Sequence, residues 1–419
     1  MKGVSQHMKK NMIIAQSGGP SPAINASLAG AVQRAMASDE IGTVYGALHG
    51  LQGLLERKIV SLSDQIKSAY DFELLIHTPA MALGSCRFKL SKTPDQNYQT
   101  VLDIFREFNI GYFFYCGGND SMDTIANLSA FFRDNGAEIT CVGIPKTVDN
   151  DLEETDHTPG FGSAARFVAT SCSEIMIDSY SYPQPSVTVV EIMGRNAGWL
   201  TASSVLARAH GYTGPHLIYL PEVPFDGKEY VERVAELQKK YTHVLVAVSE
   251  GIRWKDTGRY VAERNSGGVD MFGHASLGGV ARELEAMAKD KLNCKSRSAE
   301  PSVLQRVGIH LASGVDIREA IEVGTTAVET ALAGISDVMV CIKRVSDHPY
   351  LVRYEPAPLK AVANHERRVP LEWICDDGTN VTQDMVEYLR PLCRGEIHVK
   401  YEEGLPHFFR LDRTKIVTP

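Results

Sequence analysis

Short apolar runs rich in β-branched and aromatic residues recur along the chain. Each is followed by a turn rich in Gly, Ser or Asp and then by apolar residues at helical spacing. In the first such unit, a predicted strand at 12–15 leads through a turn at 17–22 into a predicted helix at 23–36. Strands that alternate with helices in this way form parallel sheets covered by helices. The pattern therefore predicts an α/β fold with mainly parallel sheets.

The same alternation locates the later elements of the predicted fold. Further strands are expected at 112–115, 140–144, 187–192, 216–220, 244–248 and 338–342. Further helices are expected at 121–132, 162–177, 197–208, 230–240, 275–289 and 317–332.

Changes in the sequence pattern along the chain indicate two domains, although no linker rich in Pro, Gly or Ser separates them. A piece rich in Tyr and Pro at 179–186 lies nearest the middle, and the alternation of strands and helices fades after residue 345. We therefore predict one domain at 11–180 and a second at 181–345. A C-terminal extension at 346–419 is expected to pack across both and to return in part to the first.

Composition and charge narrow the class of protein. The 419 residues are 44% hydrophobic and 22% charged, which is ordinary for globular proteins. Because 51 acidic residues outnumber 43 basic ones, the net charge of −8 argues against nucleic acid or an anionic membrane as the main partner. No apolar stretch approaches the roughly 18 residues of a membrane span, and residues 1–11 lack the apolar core of a secretory signal. Eight scattered cysteines show no paired zinc spacing, so we predict a cytoplasmic protein with reduced thiols.

Four turns that follow predicted strands carry residues suited to phosphate chemistry. They lie at 17–22, 117–121, 145–151 and 193–198. In open α/β sheets ligands bind beyond the carboxyl ends of the strands, so these turns can converge on one site. Glycines such as Gly19 and Gly118 let the backbone approach an anion, and the free amides at a helix start favour negative charge.

The turn at 117–121 has two compatible interpretations. Asp120 or Ser121 can cap the helix that follows, a contact worth about 1 kcal/mol. Alternatively, the turn cradles a phosphate while side-chain oxygens of Asn119 and Asp120 hold Mg²⁺. This motif alone does not decide between the two roles.

The turn at 145–151, Pro-Lys-Thr-Val-Asp-Asn-Asp, gives the strongest signal. Asp149 and Asp151 follow a predicted buried strand, where charge is costly unless it is solvated, capped or used. Lys146 lies three residues before the first of them. Transfer of a phosphoryl group to a hydroxyl needs a base, a cation and metal ligands, and this turn offers a candidate for each. A solvated acidic turn is the less favoured alternative.

Cationic and polar residues elsewhere extend the candidate site. Arg195 projects from the Met-Gly-Arg turn at 193–195, where a guanidinium can stabilise charge on a phosphoryl group. Further single candidates are Arg87, Glu250, Arg297 and Arg306. Each of these, taken singly, is more often an exposed residue than a ligand.

Taken together and in order, these motifs resemble those of the phosphofructokinase family. The matching motifs are Ser-Gly-Gly at 17–19, Gly-Ser-Cys-Arg-Phe at 84–88, Gly-Gly-Asn-Asp-Ser at 117–121, the heptapeptide at 145–151, Met-Gly-Arg at 193–195 and Ser-Glu-Gly at 249–251. The ordered match runs from residue 12 to residue 338, most of the chain. The resemblance implies two similar three-layer α/β domains with the active site in the cleft between them. It also implies Mg²⁺ dependence and transfer of a phosphoryl group to the 1-hydroxyl of fructose 6-phosphate, a reaction of glycolysis.

The resemblance further implies a role for each matching residue. The implied catalytic residues are Asp149, as the base, with Lys146, Thr147 and Arg195. The residues implied to bind the phosphoryl donor are Gly19, Arg87, Gly118, Asp120, Ser121 and Lys146. Those implied to hold the sugar phosphate are Thr147, Asp149, Met193, Gly194, Arg195, Glu250, Arg297 and Arg306. Those implied to hold Mg²⁺ are Asn119, Asp120 and Asp151.

Two positions distinguish the donors used within this family. ATP-dependent members carry glycine where this chain has Asp120 and again where it has Lys146, whereas pyrophosphate users typically carry Asp and Lys there. A side chain at 120 fills space and adds negative charge where the α-phosphate and nucleoside of ATP would run. Lys146 offers a positive partner to the compact pyrophosphate. We therefore predict a reversible transfer from pyrophosphate that gives fructose 1,6-bisphosphate and phosphate.

Two other positions depart from the family pattern. Asn119 stands where most relatives carry an aspartate near Mg²⁺, and Ser186 stands where many kinases place an arginine that reaches the neighbouring subunit. The alternative within the family is an ATP-dependent or mixed-donor kinase, and the alternative of another class is a non-catalytic sugar-phosphate sensor. Because a sensor needs no base, the presence of Asp149, Asp151 and Arg195 disfavours it. We expect a homodimer or homotetramer.

Overall fold

Two sheets, each covered by helices, organise residues 9–86, 88–262, 278–292 and 294–419, which the computed structural model describes. The strands are β1 (Lys10–Gln16), β2 (Ile41–Ala47), β3 (Ile59–Ser61), β4 (Ile110–Gly117), β5 (Thr140–Pro145), β6 (Ser186–Ile192), β7 (Leu217–Tyr219), β8 (His243–Ser249), β9 (Lys295–Ala299), β10 (Val338–Asp347), β11 (Tyr350–Pro358), β12 (Tyr401–Glu402) and β13 (Leu405–Pro406). The α-helices are α1 (Ile24–Met36), α2 (Gly50–Leu55), α3 (Leu62–Gln65), α4 (Ala69–Ile76), α5 (Gln96–Glu107), α6 (Asn119–Asp134), α7 (Phe161–Tyr180), α8 (Trp199–Ala202), α9 (Gly227–Gln238), α10 (Val280–Leu292), α11 (Gly314–Leu332), α12 (Leu359–Val362) and α13 (Gln383–Leu392). Short 3-10 helices span Ser203–Gly211, Ser302–Arg306, Ile309–Leu311 and Leu371–Trp373.

The first sheet has seven strands in the order β11-β10-β5-β4-β1-β2-β3. Its five inner strands run parallel, and the edge strands β11 and β3 are antiparallel to their neighbours. Successive side chains of β1 point to opposite faces of the sheet and enter two different apolar clusters. Met12 and Ile14 belong to the first cluster, and Ile13 and Ala15 belong to the second. Helices α1 and α11 cover the first cluster, while α2, α5, α6 and α12 cover the second, which gives three layers.

The second sheet has four parallel strands in the order β7-β8-β6-β9. Val187 and Val189 of β6 face a cluster formed with α9 and α10, whereas Val190 and Ile192 face α7, α8 and α13. This unit therefore also has three layers. The predicted fold class, two three-layer α/β units with mainly parallel sheets, is confirmed.

The chain returns to the first sheet before residue 345. Helix α11 packs so closely on α1 that a Cβ at Gly324 would lie 2.0 Å from the carbonyl oxygen of Ser27. Strand β10, which we assigned to the second domain, pairs with β5 instead. The reason is that its residues are apolar on both sides, with Met339 in one cluster of the first sheet and Val340 in the other.

Several elements differ from those expected along the sequence. The helix expected at 197–208 is only the single turn α8 followed by a 3-10 helix that contains His210 at φ 58°. The hydroxyl of Ser203 donates to the carbonyl of Leu200 at 2.6 Å, a local bond that competes with a regular helix. Strand β9 was not predicted because its residues are mostly polar. The expected helix start at 275–277 lies outside the described residues.

Two further observations concern the predicted cytoplasmic location with reduced thiols. All eight cysteines lie among the described residues, and the structure pairs none of them in a disulfide. In the described parts of the chain, no helix combines the length and the apolar character that a bilayer crossing requires.

A buried polar network attaches the β10–β11 hairpin to α11. His157 lies between Asp156, 2.7 Å from its Nδ1, and Glu319, 2.6 Å from its Nε2. Tyr350 donates to Glu319 at 2.8 Å, and the guanidinium of Arg344 lies 2.9 Å from Asp156. Burial opposes the charged form of His157, but Glu319 and Asp156 outweigh it and raise the pKa of His157 to about 9.

We expect the charge of His157 to make stability depend on pH. Because the folded pKa of about 9 exceeds the ordinary value of 6.5, the ion pairs stabilise the fold fully below pH 6.5 and are lost as the pH rises through 9. The melting temperature of His157→Gln should therefore lie well below that of the parent chain at pH 6 and approach it by pH 9.5.

The matched control for this experiment is His216→Gln. Burial lowers the pKa of His216 to about 4, so this residue stays neutral across the same range. In the unfolded chain His216 titrates near 6.5, so the melting temperature lost in His216→Gln should be slightly smaller at pH 6 than at pH 9.5, the opposite of the change expected for His157→Gln. A difference for His157→Gln that stays constant from pH 6 to pH 9.5 would contradict the assigned charge.

Candidate active site

The carboxyl ends of strands from both sheets open into one cleft. Turns that follow β1, β4 and β5 meet turns that follow β6 and β8 around a cavity of about 510 Å³. The lining residues are Ser17, Gly18, Gly19, Gly118, Asn119, Asp120, Ser121, Lys146, Thr147, Asp149, Asp151, Met193, Arg195, Asn196, Ala197, Glu250, Arg306, Asn364, His365 and Glu366. The expected convergence of the strand-end turns on one cavity is thus present.

The turn at 146–151 forms the centre of the cavity. Lys146 is buried, and its Nζ donates to the carbonyl oxygen of Gly19 at 2.7 Å, which joins this turn to the turn after β1. The backbone N–H of Asp149 donates to Oγ1 of Thr147 at 3.1 Å. Between the two carboxylates, Asn150 is fully buried in the left-handed region at φ 56°, a conformation that asparagine tolerates better than most residues. The chain therefore bends sharply enough for Asp149 and Asp151 both to face the cavity.

Burial changes the acid–base properties of this turn. It raises the pKa of Asp149, and the negative charge of Glu250 raises it further. Burial and the charge of Asp149 likewise raise the pKa of Asp151. Burial lowers the pKa of Lys146 to about 8, against the attraction of the two aspartates. A carboxylate whose pKa moves toward neutrality is suited to take a proton from a hydroxyl.

In the turn after β4, no side chain caps the start of the helix that follows. Helix α6 has Gly118 as its N-cap, and no side chain caps it, so the capping role expected for Asp120 or Ser121 is not found. Asp120 instead forms an ion pair with Lys89 at 2.8 Å. The first amides of α6 are therefore left without a side-chain partner from the cap, which favours negative charge near the helix start.

The cavity also contains oxygen atoms suited to a magnesium ion. Oδ1 of Asn119 is buried and has no hydrogen-bond partner among the described residues. Asp120 and Asp151 line the same cavity, although in the described part of the chain no three His, Cys, Asp or Glu side chains are grouped closely enough to hold a metal ion. Mg²⁺ is commonly held by one or two carboxylates together with substrate phosphates and water. The residues present therefore fit an ion that arrives with a phosphate, rather than an ion held by protein alone.

The opposite wall consists of the turns after β6 and β8, which are tightly packed on each other. Gly194 adopts φ 125°, and its N–H lies 3.4 Å from Oε1 of Glu250. Ser249 donates to the carbonyl of Gly194, and a Cβ at Gly251 would lie 1.8 Å from the carbonyl oxygen of Arg195. Because glycine allows this approach, Arg195 and Glu250 face the cavity together with Met193, while Gly194 itself serves the bend.

The four remaining residues of interest lie in different places. Arg306 lines the cavity close to the turn after β1, since a Cβ at Gly19 would lie 3.4 Å from its NH1. Arg297 does not line it, because it lies within the edge strand β9 rather than at a strand end and pairs with Asp178 at 2.9 Å. Ser186 begins β6, at the end of the strand opposite the cleft, and bonds His243 at 2.9 Å. Arg87 lies outside the described residues.

Three lining residues were missed by sequence reasoning. Asn364, His365 and Glu366 follow α12 in the region where the alternation of strands and helices has faded. No spacing or motif marks them, because the long-range fold of the C-terminal extension places them in the cleft.

The fold and the cavity together define a class. Two α/β units whose strand-end turns place buried carboxylates, a lysine and glycine turns around one cleft have the parts that phosphoryl transfer to a hydroxyl requires. A model of the family described as Phosphofructokinase matches residues 11–331. The chain belongs to the phosphofructokinase family, whose members generally use Mg²⁺.

The similar proteins match nearly the whole chain. Pyrophosphate--fructose 6-phosphate 1-phosphotransferase of Halomonas elongata is 42% identical and covers 99% of this chain and 98% of its own length. The relative of the same name in Methylococcus capsulatus is 42% identical and covers 96% of each. A crystal structure of pyrophosphate-dependent phosphofructokinase from Marinobacter aquaeolei has a TM-score of 0.88 at 38% identity and covers 98% of both chains.

Proposed function

We propose that this chain transfers a phosphoryl group reversibly from pyrophosphate to the 1-hydroxyl of fructose 6-phosphate. The products are fructose 1,6-bisphosphate and phosphate. The observation that carries the proposal is the position of the 146–151 turn. It lies between the glycine turns after β1 and β4 on one side and the Arg195 and Glu250 turns on the other, within one cavity.

The residues of the turn divide the chemistry among them. Asp149, whose pKa is raised by burial, takes the proton from the sugar hydroxyl as its oxygen attacks the donor phosphorus. Lys146 and Arg195 supply positive charge on the two sides of the transferred group. Asn119 and Asp151 would hold Mg²⁺, which would supply positive charge to the phosphate oxygens of the donor.

The donor assignment rests on Asp120 and Lys146. Asp120 occupies the first turn of α6, where its pairing with Lys89 keeps an acidic side chain at the end of the cavity. Lys146 is anchored by Gly19 at the floor of the same region, within reach of a compact polyanion. A bulky side chain with negative charge disfavours a nucleoside triphosphate there, and the pyrophosphate-dependent relatives support the same choice.

The alternatives are less favoured. An ATP-dependent or mixed-donor kinase needs room that Asp120 occupies. A non-catalytic sensor of sugar phosphates has no use for Asp149 and Asp151, whose burial costs stability unless the carboxylates are used.

Replacing Asp149 tests the assignment of the base. In an assay coupled to fructose 1,6-bisphosphate formation, the parent chain should turn over pyrophosphate with fructose 6-phosphate. Asp149→Asn keeps shape and hydrogen bonding but accepts no proton, so kcat should fall by about 10² to 10⁴ while both substrates still bind. If the activity of the variant stays within a few-fold of the parent activity, Asp149 is not the base. If the parent chain is inactive with both pyrophosphate and ATP, the proposed enzymatic function is wrong.

Replacing Asp120 and Lys146 tests the choice of phosphoryl donor. Asp120→Gly should raise the ratio of kcat/KM for ATP to kcat/KM for pyrophosphate, because it clears space and removes a negative charge. Lys146→Gly should chiefly weaken the use of pyrophosphate, and the double variant should favour ATP more than either single variant, without strict additivity. Measuring the ratio in all four proteins tests the assignment. An unchanged ratio in Asp120→Gly, or a parent chain that prefers ATP, contradicts it.

Replacing Arg306 tests how the sugar phosphate is bound. If Arg306 binds the 6-phosphate, which stays remote from the reacting atoms, Arg306→Ala should raise KM for fructose 6-phosphate and leave kcat nearly unchanged. A lost charge-assisted hydrogen bond costs about 1.5 to 3 kcal/mol, or about 10- to 150-fold in KM. Arg297→Ala is the comparison, since Arg297 does not line this cavity. A changed KM for pyrophosphate alone would assign Arg306 to the donor, as its proximity to Gly19 allows.

A further inference from the structure

A short segment of the C-terminal extension crosses the cleft and forms one of its walls. We call residues 364–369 the cleft strap. Asn364, His365 and Glu366 line the cavity. Nδ2 of Asn364 donates to Oδ1 of Asp123 on α6 at 2.9 Å, and Nδ2 of Asn196 donates to Oε1 of Glu366 at 2.9 Å. The strap therefore spans from the donor-side helix to the loop on the opposite wall.

Arg367 joins the strap to the turn that carries the catalytic carboxylate. Its backbone N–H donates to the carbonyl oxygen of Asp151 at 2.9 Å. Its guanidinium donates to the carbonyl oxygens of Asn150, at 3.3 Å, and Thr155, at 3.1 Å. Three backbone oxygens within and just after the turn are thus held by one residue from outside it.

Arg367 is also fixed to the wall formed by the turns after β6 and β8. The carbonyl oxygen of Arg367 accepts a hydrogen bond from Nε1 of the buried Trp199 at 3.1 Å, and its guanidinium lies 4.5 Å from the centre of that ring. Two residues on, the N–H of Val369 donates to Oε1 of Glu222 at 3.0 Å. That carboxylate oxygen also accepts from the N–H of Gly198 at 2.9 Å. The strap therefore fixes the distance between the two walls.

Tyr388 of α13 supports the turn from behind. Its hydroxyl donates to the carbonyl oxygen of Asp156 at 2.7 Å and accepts from Nδ2 of Asn150 at 2.9 Å and from Arg367 at 3.2 Å. Oδ1 of Asn150 in turn accepts from the N–H of Thr158 at 3.1 Å. Every polar atom of the Asn150 side chain is therefore engaged, which holds this residue in its left-handed conformation.

We propose that Arg367 is a positioning residue for phosphoryl transfer, with Tyr388 as its partner. This inference rests on the function proposed above. Arg367 holds the backbone within and just after the Asp149–Asp151 bend and connects it to the wall that carries Arg195 and Glu250. It contacts no reacting atom, so its effect falls on the orientation of Asp149 toward the sugar hydroxyl and not on the binding of either substrate.

The kinetic test compares three arginine variants. In Arg367→Ala, kcat should fall by about 10- to 100-fold while both KM values stay within about threefold, because a misplacement of about 1 Å at a reacting group is costly. Arg367→Lys keeps the charge but spans fewer carbonyls, so it should restore kcat in part.

The control variant is Arg208→Ala. Arg208 is also half-buried and holds the carbonyl oxygen of Pro215 and Oδ1 of Asn380, away from the cavity. This variant should have a lower melting temperature than the parent chain but a kcat within about twofold of the parent value, as expected for an arginine whose role is only structural. If Arg367→Ala keeps kcat, or if Arg208→Ala loses as much, the proposal is overturned.

A second measurement does not depend on activity. Hydrogen–deuterium exchange of peptides covering 147–152 should become faster in Arg367→Ala, and in Tyr388→Phe, but not in Arg208→Ala. Tyr388→Phe keeps the ring among its aromatic neighbours Trp199 and Trp373. It therefore replaces Arg367→Ala as the test variant if Arg367→Ala does not fold. Unchanged exchange in these peptides overturns the positioning role even if the parent enzyme is active. Faster exchange in a chain that turns over neither donor would support the positioning of the turn and overturn only the proposed reaction.

Discussion

The cleft depends on the burial of charge in one six-residue turn. Lys146 is almost fully buried, and Asp149 and Asp151 lie beside it with pKa values raised by the same burial. Such groups are costly unless their positions are fixed and their charges are used. The carbonyl of Gly19 fixes Lys146 from one side, and Arg367 and Tyr388 hold the backbone around Asn150 from the other. The neighbouring elements are therefore arranged around this turn.

Much of this arrangement could be predicted from the sequence, because parallel strands that are buried on both faces are continuous apolar runs. Strands β1, β5, β6 and β8 are of this kind, and each was expected within a few residues of its position. Once such strands are identified, the residues after their carboxyl ends converge by geometry. This is why Gly19, Lys146, Asp149, Arg195 and Glu250 all face one cavity.

The remainder depends on contacts between distant parts of the chain. The strand containing Arg297 has a polar sequence, so neither its edge position nor the pairing of Arg297 with Asp178 could be inferred from local pattern. The residues at 364–366 carry no motif, and only the return of β10 and β11 to the first sheet brings them to the cleft. Asp120 lines the cavity at the turn after β4, but its partner Lys89 is far away in sequence. Local patterns thus identify the strand-end chemistry, whereas long-range packing decides which side chains accompany it.

The charge of the whole chain explains why the site has to be compact. With a net charge of −8, the protein as a whole repels polyanionic substrates, and at physiological salt this field is screened beyond about 8 Å. Attraction must therefore come from groups within a few ångströms of the bound phosphates, where Lys146, Arg195 and Arg306 line the cavity. Three cations close together repel one another unless carboxylates or a bound anion lie between them. Asp149, Asp151 and Glu250 supply that balance in the free protein, so these buried carboxylates also stabilise the cationic groups of the cleft before substrate arrives.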